Sequence, residues 1–228
     1  MLKIYGFDLS TWTNAARFTA NALNLEYEFV RVNLAAGEGQ QPEYLAIHPA
    51  GKVPAMDDDG FRLFESGAIQ RYLARKAGSD LYPEGLHEQA LVDQWALFSS
   101  LHVGSAMAKV LFNKMVYQLV GAEQNTVELE EGERFLDRFL PIVDRQLGRE
   151  AFLANGRVSI ADHLLLAWLD PAELSAVDLS AYPHIGRWRT ALKSESFYTQ
   201  CHRDYAEMFR ALTAEMPEPD IDAESAMG

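Results

Sequence analysis

Over residues 1–78, short apolar–polar alternations take turns with stretches at helical spacing. Lys3-Ile4-Tyr5-Gly6-Phe7 reads as a short strand. Thr13 to Leu23 brings Ala16, Ala20 and Leu23 to one side, which predicts a helix. Tyr27 to Val32 alternates apolar and polar residues, the period of a strand. Residues 35–41 (AAGEGQQ) form a loop, and Pro42 to Ile47 fits a short helix opening with proline. Lys52-Val53-Pro54-Ala55-Met56 predicts a strand whose proline must begin it or lie at an edge, because proline has no N–H for the ladder. Asp57-Asp58-Asp59-Gly60 is a hairpin turn, and Phe61 to Phe64 is the returning strand. Ser66 to Ala77 is a helix with Ile69, Tyr72 and Leu73 on its apolar side. The predicted order is β-α-β-α-β-β-α, a parallel half and an antiparallel hairpin covered by helices.

Residues 79–87 are a linker, and beyond it the strand signals stop. From Glu88 to about Val120 apolar residues recur at helical spacing, among them Leu91, Trp95, Phe98, Val110 and Leu111. Thr126 to Leu147 is a second long helix, in which Pro141 predicts a kink. Ser159-Ile160-Ala161-Asp162 is a capping-box pattern opening the apolar run His163 to Leu169. So apolar a helix belongs at the centre of a helical domain, residues 88–215, with Asp162 in a structural role. Pro183 to Leu192 and Glu195 to Ala214 complete the helices.

Composition narrows the functions open to the chain. Its 228 residues are 48% hydrophobic and 23% charged, ordinary for a globular protein of two modest domains. The apolar runs fall short of the ~18 residues that span a membrane. The N-terminus has no signal-peptide anatomy, so a cytoplasmic protein is expected. A formal net charge of −13 argues against nucleic acid and anionic membranes as partners. Residues 216–228 (MPEPDIDAESAMG) read as a disordered acidic tail. The single cysteine, Cys201, excludes an internal disulfide and reads as a small core residue. The histidines show no metal-site spacing, so no metal is expected.

Four strings stand in a telling order. They are Leu9-Ser10-Thr11-Trp12-Thr13-Asn14, His48-Pro49-Ala50-Gly51-Lys52-Val53-Pro54-Ala55, Leu63-Phe64-Glu65-Ser66-Gly67-Ala68-Ile69, and the capping box at Ser159. Together they resemble the glutathione transferase family, from residue 2 to about residue 212. The serine-type enzymes, and within them the phi class and its bacterial relatives, are the most similar.

The resemblance implies a thioredoxin-like N-terminal domain that binds glutathione and an all-α C-terminal bundle that binds a hydrophobic electrophile. It implies Ser10 as the donor that stabilises the glutathione thiolate, with Thr11 and Thr13 as neighbouring hydroxyls able to substitute. Ser10 could also simply cap a helix, as could Thr13. Val53-Pro54 resembles the family's cis-proline segment, whose backbone pairs with the cysteinyl part of the tripeptide. Ser66 would hold the γ-glutamyl carboxylate at a helix N-terminus and Glu65 its ammonium. Lys52 and Gln40 would reach the glycyl carboxylate. Trp12, Met107, Phe112 and Tyr117 are candidates for the acceptor pocket, each equally readable as core. Gly39-Gln40, where phi enzymes typically carry His-Lys, and Gly67, where the family often has arginine, are departures. The resemblance also implies a homodimer. Glutathione-dependent lyase, dehalogenase, isomerase or peroxidase chemistry stays open, as does a binding or scaffold protein without chemistry.

Overall fold

The computed structural model describes residues 1–117 and 122–214; the acidic tail lies outside them. Its first part is one sheet of β1 (Leu2–Gly6), β2 (Glu28–Arg31), β3 (Ala55–Asp58) and β4 (Phe61–Phe64), in the order β2-β1-β3-β4. The β1–β2 pair is parallel and the other two pairs are antiparallel. Three helices join the strands: α1 (Thr11–Ala22), α2 (Pro42–Leu45) and α3 (Ser66–Lys76). This is the thioredoxin-like arrangement. Ile4 and Met56 on one sheet face pack under Ala16 and Ala20 of α1 and Ile69 and Leu73 of α3. On the other face Val32, Tyr44 and Ala55 form a smaller core.

Two boundaries differ from the sequence pattern. α1 begins at Thr11, ahead of Thr13, because Ser10 takes the N-cap: its side chain accepts from the Thr13 N–H at 3.2 Å. Thr13 is thereby an interior, buried position. Pro54 falls just before β3, so no ladder bond is lost.

The second part is helical: α4 (Leu86–Val116), α5 (Thr126–Arg149), α6 (Ile160–Leu169), α7 (Pro183–Lys193), α8 (Ser196–Thr199) and α9 (Tyr205–Ala214). By length and composition α4 passes for a membrane span, contrary to the reading of its sequence, yet 50% of its most apolar stretch is packed inside the protein. It carries two π-helical stretches, Ser99–Gly104 and Phe112–Val116. Pro141 lies within α5 and offers no N–H to the Asp137 carbonyl.

Every residue of α6 is buried. Asp162 accepts from the Ser159 N–H and hydroxyl, each at 2.9 Å, so the acid's half of the capping box forms. The same carboxylate also accepts from the Leu153 N–H at 3.1 Å and the Trp188 indole at 3.0 Å. Burial pushes the Asp162 carboxyl up to about 6, against the pull of those donors.

α6 also joins the two parts. The Gln70 side chain of α3 donates to the Ile160 carbonyl at 3.3 Å and to the Thr19 hydroxyl at 3.0 Å. Thr19 of α1 in turn meets His163 Nδ1 at 3.0 Å. Burial holds His163 down at about 3, so it is neutral at physiological pH.

The expected single helix over Glu195–Ala214 is two helices, α8 and α9. At the break His202 Nε2 lies 2.7 Å from the buried Asp170, which also takes the Tyr198 hydroxyl at 2.8 Å and Lys193 at 3.0 Å. Burial opposes ionisation of Asp170, but the His202 hydrogen bond and the Lys193 charge hold its carboxyl below the usual range. An unbroken helix would have to withdraw His202 from that buried charge. Cys201 accepts from the Asn21 amide at 3.2 Å, and burial pushes its thiol up to about 11, the environment of an inert core cysteine.

Candidate functional site

The strand register gathers the predicted residues at one end of the sheet. Tyr5 lies opposite Ala55, so the end of β1 that leads to Ser10 runs beside the start of β3, just after Val53 and Pro54. Ala55 is also opposite Phe64, the last residue of β4 before Glu65 and Ser66. Gly6 pairs with Arg31, so the loop that carries Gln40 leaves from the same end. Residues far apart in sequence thus converge because three strands terminate together.

Each segment presents unpaired polar groups. Ser10 is half-buried, and accepting from Thr13 leaves its own O–H proton free to donate. Thr13 Oγ1 instead lies 3.5 Å from the Phe7 N–H, wholly buried. Thr11 is buried too, its hydroxyl without a partner among the described residues. The Val53–Pro54 bond is cis, and no described group pairs with the Val53 N–H or C=O. At the start of α3 the Ser66 and Gly67 N–H groups have no acceptor among the described residues, whereas Ala68 and Ile69 already donate to the Glu65 carbonyl. Two free N–H groups at a helix N-terminus attract an anion.

Glu65 holds φ +71° and ψ 116°, a region that non-glycine residues avoid. Its side chain makes no capping bond and is exposed. Such a conformation costs about 1–3 kcal/mol and is found where a site demands it.

Lys52 is exposed, with no described carboxylate in ion-pair range. Its carbonyl accepts from the buried Tyr44 hydroxyl at 2.6 Å, which steadies the approach to Val53. Sequence reasoning gave no role to His48, although it stands in the quoted string. His48 is buried between the Tyr44 and Phe64 rings, with centroids at 6.5 and 4.8 Å. Its Nδ1 accepts from the Ala50 N–H at 3.3 Å, and burial lowers its pKa while Glu65 and Lys52 pull it in opposite directions. The signal for His48 was its place four residues before Lys52.

Gly39 explains one departure. A Cβ there would meet the Gly51 carbonyl oxygen at 2.5 Å and Leu34 at 2.7 Å, so two loops touch backbone to backbone. Gln40 is exposed and lies over Gly51. Gly39→Ala is expected to destabilise the protein by about 1–3 kcal/mol, read as a lower urea midpoint at constant slope. At Gly67 the Arg71 guanidinium folds back onto the Gly67 carbonyl at 2.8 Å and pairs with Asp93.

The acceptor candidates separate. Trp12, half-buried, sets its ring edge-on to Trp168 at 4.5 Å. Met107 is 0% exposed and belongs to the helical core, so this candidate has no surface to offer. Phe112 is 39% exposed and Tyr117 is half-buried. Leu9, next to Ser10, packs against the buried cluster of Leu111, Met115 and Tyr205, which Leu174, Met208 and Phe209 also cover. Residues 107, 111 and 115 share a helix face at i, i+4, i+8, and only the first was singled out from sequence.

Residues 1–75 match the family model of the glutathione S-transferase N-terminal domain, and residues 105–196 that of its C-terminal domain. Glutathione S-transferase 1 of Zea mays is 31% identical over 194 residues, covering 84% of this chain and 91% of the maize protein. The chain belongs to the glutathione S-transferase family. A probable glutathione S-transferase of Oryza sativa subsp. japonica is 34% identical over 197 residues, with 84% of this chain and 91% of that protein covered. Among solved structures, glutathione transferase F7 from Populus trichocarpa superposes with a TM-score of 0.80 at 31% identity, covering 88% of this chain and 97% of its own. A glutathione S-transferase-I bound with lactoylglutathione gives a TM-score of 0.81 at 28% identity, over 88% of this chain and 97% of that one.

Proposed function

We propose that this glutathione S-transferase family member is a transferase that binds glutathione at the end of its sheet and adds the thiolate to a hydrophobic electrophile. The observation that carries the reading is the convergence of Ser10, Val53 and the Glu65–Ser66 helix start at the ends of β1, β3 and β4. The lactoylglutathione seen on a structural relative supports the choice of tripeptide.

In this reading the free Val53 N–H and C=O pair with the extended cysteinyl backbone, as one strand pairs with another. The α3 N-terminus and Ser66 hold the γ-glutamyl carboxylate, and Glu65 its ammonium. Lys52 and Gln40 reach the glycyl carboxylate. These contacts deliver the sulfur to the N-terminus of α1. There the Ser10 O–H donates to it and the helix dipole favours negative charge. A free thiol titrates near ~8.5, and lowering that by about two units takes roughly 2.7 kcal/mol. A charge-assisted hydrogen bond at about 1.5–3 kcal/mol is of that size. Trp12 and Phe112 are proposed to line the acceptor side, with Tyr117 at the margin of the described residues. Assembly as a homodimer also belongs to the proposal, supported by the exposed Phe61 and Phe64 on edge strand β4 and Leu91 and Leu97 on α4. A cytoplasmic setting rests on the resemblance to the family.

The test is a pair of titrations with glutathione and with cysteinylglycine, which lacks the γ-glutamyl group. Glu65→Gln keeps the shape and removes the charge that meets the ammonium. It is expected to weaken glutathione binding about tenfold or more and to leave the dipeptide unchanged. Equal loss for both ligands, or none for either, would overturn the assignment of Glu65. No binding of glutathione by the wild type would overturn the whole reading and leave a scaffold protein.

A further inference from the structure

The turn that carries Ser10 is held from the far end of the chain. Tyr205, the first residue of α9, donates its hydroxyl proton to the Leu9 carbonyl at 2.6 Å, across 196 positions of sequence. That carbonyl belongs to the peptide unit between Leu9 and Ser10. The N–H of the same unit donates to the Phe7 carbonyl at 3.0 Å. A peptide unit is planar. Hydrogen bonds on its two opposite edges therefore fix its orientation, and with it the direction in which Ser10 (φ −77°) leaves the strand.

Tyr205 is itself well placed to act as an anchor. It is 3% exposed and packs with Leu111, Met115, Met208 and Phe209. Its ring lies 5.8 Å from that of His202, which is tied to the buried Asp170. Burial pushes the Tyr205 hydroxyl well above its ordinary range, so it remains a proton donor throughout the working pH range. The break between α8 and α9 thus has a result beyond packing, since it sets the first residue of α9 against the Ser10 turn.

We infer that Tyr205 is a positioning residue for the thiol chemistry, holding the Ser10 hydroxyl in place through the Leu9 carbonyl. The inference rests on the proposed role of Ser10. It gives α9, which contributes no proposed contact to glutathione, control over how well the thiolate is stabilised. Tyr205→Phe keeps the ring and its packing and removes only the donor. A loosened Ser10 is a weaker donor, not an absent one. The expected effect is accordingly smaller than that of deleting Ser10: about three- to tenfold less thiolate at pH 6.5.

The experiment is an ultraviolet titration of bound glutathione in the wild type, Tyr205→Phe, Ser10→Ala, the double variant and Met208→Ala, with Tm measured for each. Met208→Ala thins the same cluster without touching the hydrogen bond, and is expected to lower Tm while the thiol titrates as in the wild type. Tyr205→Phe is expected to raise the pH at which the thiol ionises, with glutathione affinity changed less than twofold. In the Ser10→Ala background the tyrosine change is expected to do nothing further, the signature of one residue acting through another. Several results would overturn the positioning role while leaving that of Ser10 standing. One is a shifted wild-type thiol that Tyr205→Phe leaves unmoved. Another is an equal movement in Met208→Ala, which would mark general loosening of α9. A third is an effect of Tyr205→Phe that persists without Ser10. A wild-type thiol that titrates like free glutathione would instead sink the role of Ser10 and this inference with it.

Discussion

Glutathione bound to the Ser10→Ala protein is expected to ionise near its free value of ~8.5, about one to two units above its value in the wild type. The size follows from the loss of one charge-assisted hydrogen bond, about 1.5–3 kcal/mol. Near pH 6.5 the thiolate then falls from about 10–50% to roughly one per cent, and conjugation slows by about 10- to 50-fold. Above pH ~9 the thiol ionises without help, and the two proteins should converge to within a few-fold. Affinity for glutathione should change by no more than about twofold at or below the pH where the wild-type thiol ionises, because its carboxylates and ammonium are held elsewhere, and should fall further above it as the lost thiolate stabilisation is felt. The measurement is kcat/KM against pH for an aryl halide acceptor, alongside direct thiolate absorbance. Parallel profiles, displaced by a constant factor at every pH, would mean that Ser10 is not the group that sets the acidity. Ser10 also caps α1, so a cap loss of about 1 kcal/mol should show in Tm. Ser10→Asp and Ser10→Asn keep an N-cap, and only the amide retains a donor for the sulfur.

The second large effect concerns folding. Asp162→Ala removes the acceptor of four hydrogen bonds, from Leu153, Trp188 and twice from Ser159. Each buried donor left unpaired costs about 1–3 kcal/mol, though not additively, and a total above about 3 kcal/mol is expected. Urea unfolding checks it, and so does the yield of soluble protein, since such a loss is a large share of a domain's stability. The effect depends on pH with a definite sign. The carboxyl is raised in the folded state to about 6, above its unfolded value of ~3.9. The folded protein therefore holds the proton more tightly between these values, and stability from this group declines as pH rises through them. The gap between wild type and Asp162→Ala should be widest near pH 4, narrow up to about 6 and stay constant above. A gap that widened with rising pH would show that the four donors outweigh burial.

Most of the fold was legible because local signals agreed with one another. The β-α-β-α-β-β-α order was readable from alternation, one Asp-Gly turn and two prolines, each backed by a separate physical reason. The helix over residues 195–214 was misread because its periodicity is sound. What stands at the break is a buried carboxylate, Asp170, at the C-cap of α6, which has no trace in the local pattern. Thr13 was a plausible cap until Ser10 proved to take that place. Within the candidate site, Ser10, Val53, Glu65 and Ser66 came from a resemblance to a family, and the strand register brings their segments together. The left-handed Glu65 was not visible, since nothing in Phe64-Glu65-Ser66 announces a positive φ. His48 and the tie from Tyr205 to Leu9 were missed for the same reason. His48 bonds the Ala50 N–H two residues away and Tyr205 touches backbone 196 positions off, and neither contact leaves a periodicity. Met107 is the opposite case, a residue of suitable chemical type that is turned entirely into the core.

The polar contacts of Thr19, Gln70 and His163 have a bearing on how this chain could be recombined. They sit buried between the two parts, where Thr19 and Gln70 of the first half meet His163 and the Ile160 carbonyl of the second. A hybrid that took residues before the linker from one relative and the helices from another would keep both folds intact within themselves. It would still fail at the seam wherever positions 19, 70 and 163 came from parents that solved the junction differently, because an unmatched hydrogen-bonding group would be shut away from water. Shuffling the halves of such proteins is therefore a problem of compatibility at positions such as 19, 70 and 163, to which the ties of Asn21 to Cys201 and of Tyr205 to Leu9 add their own demands.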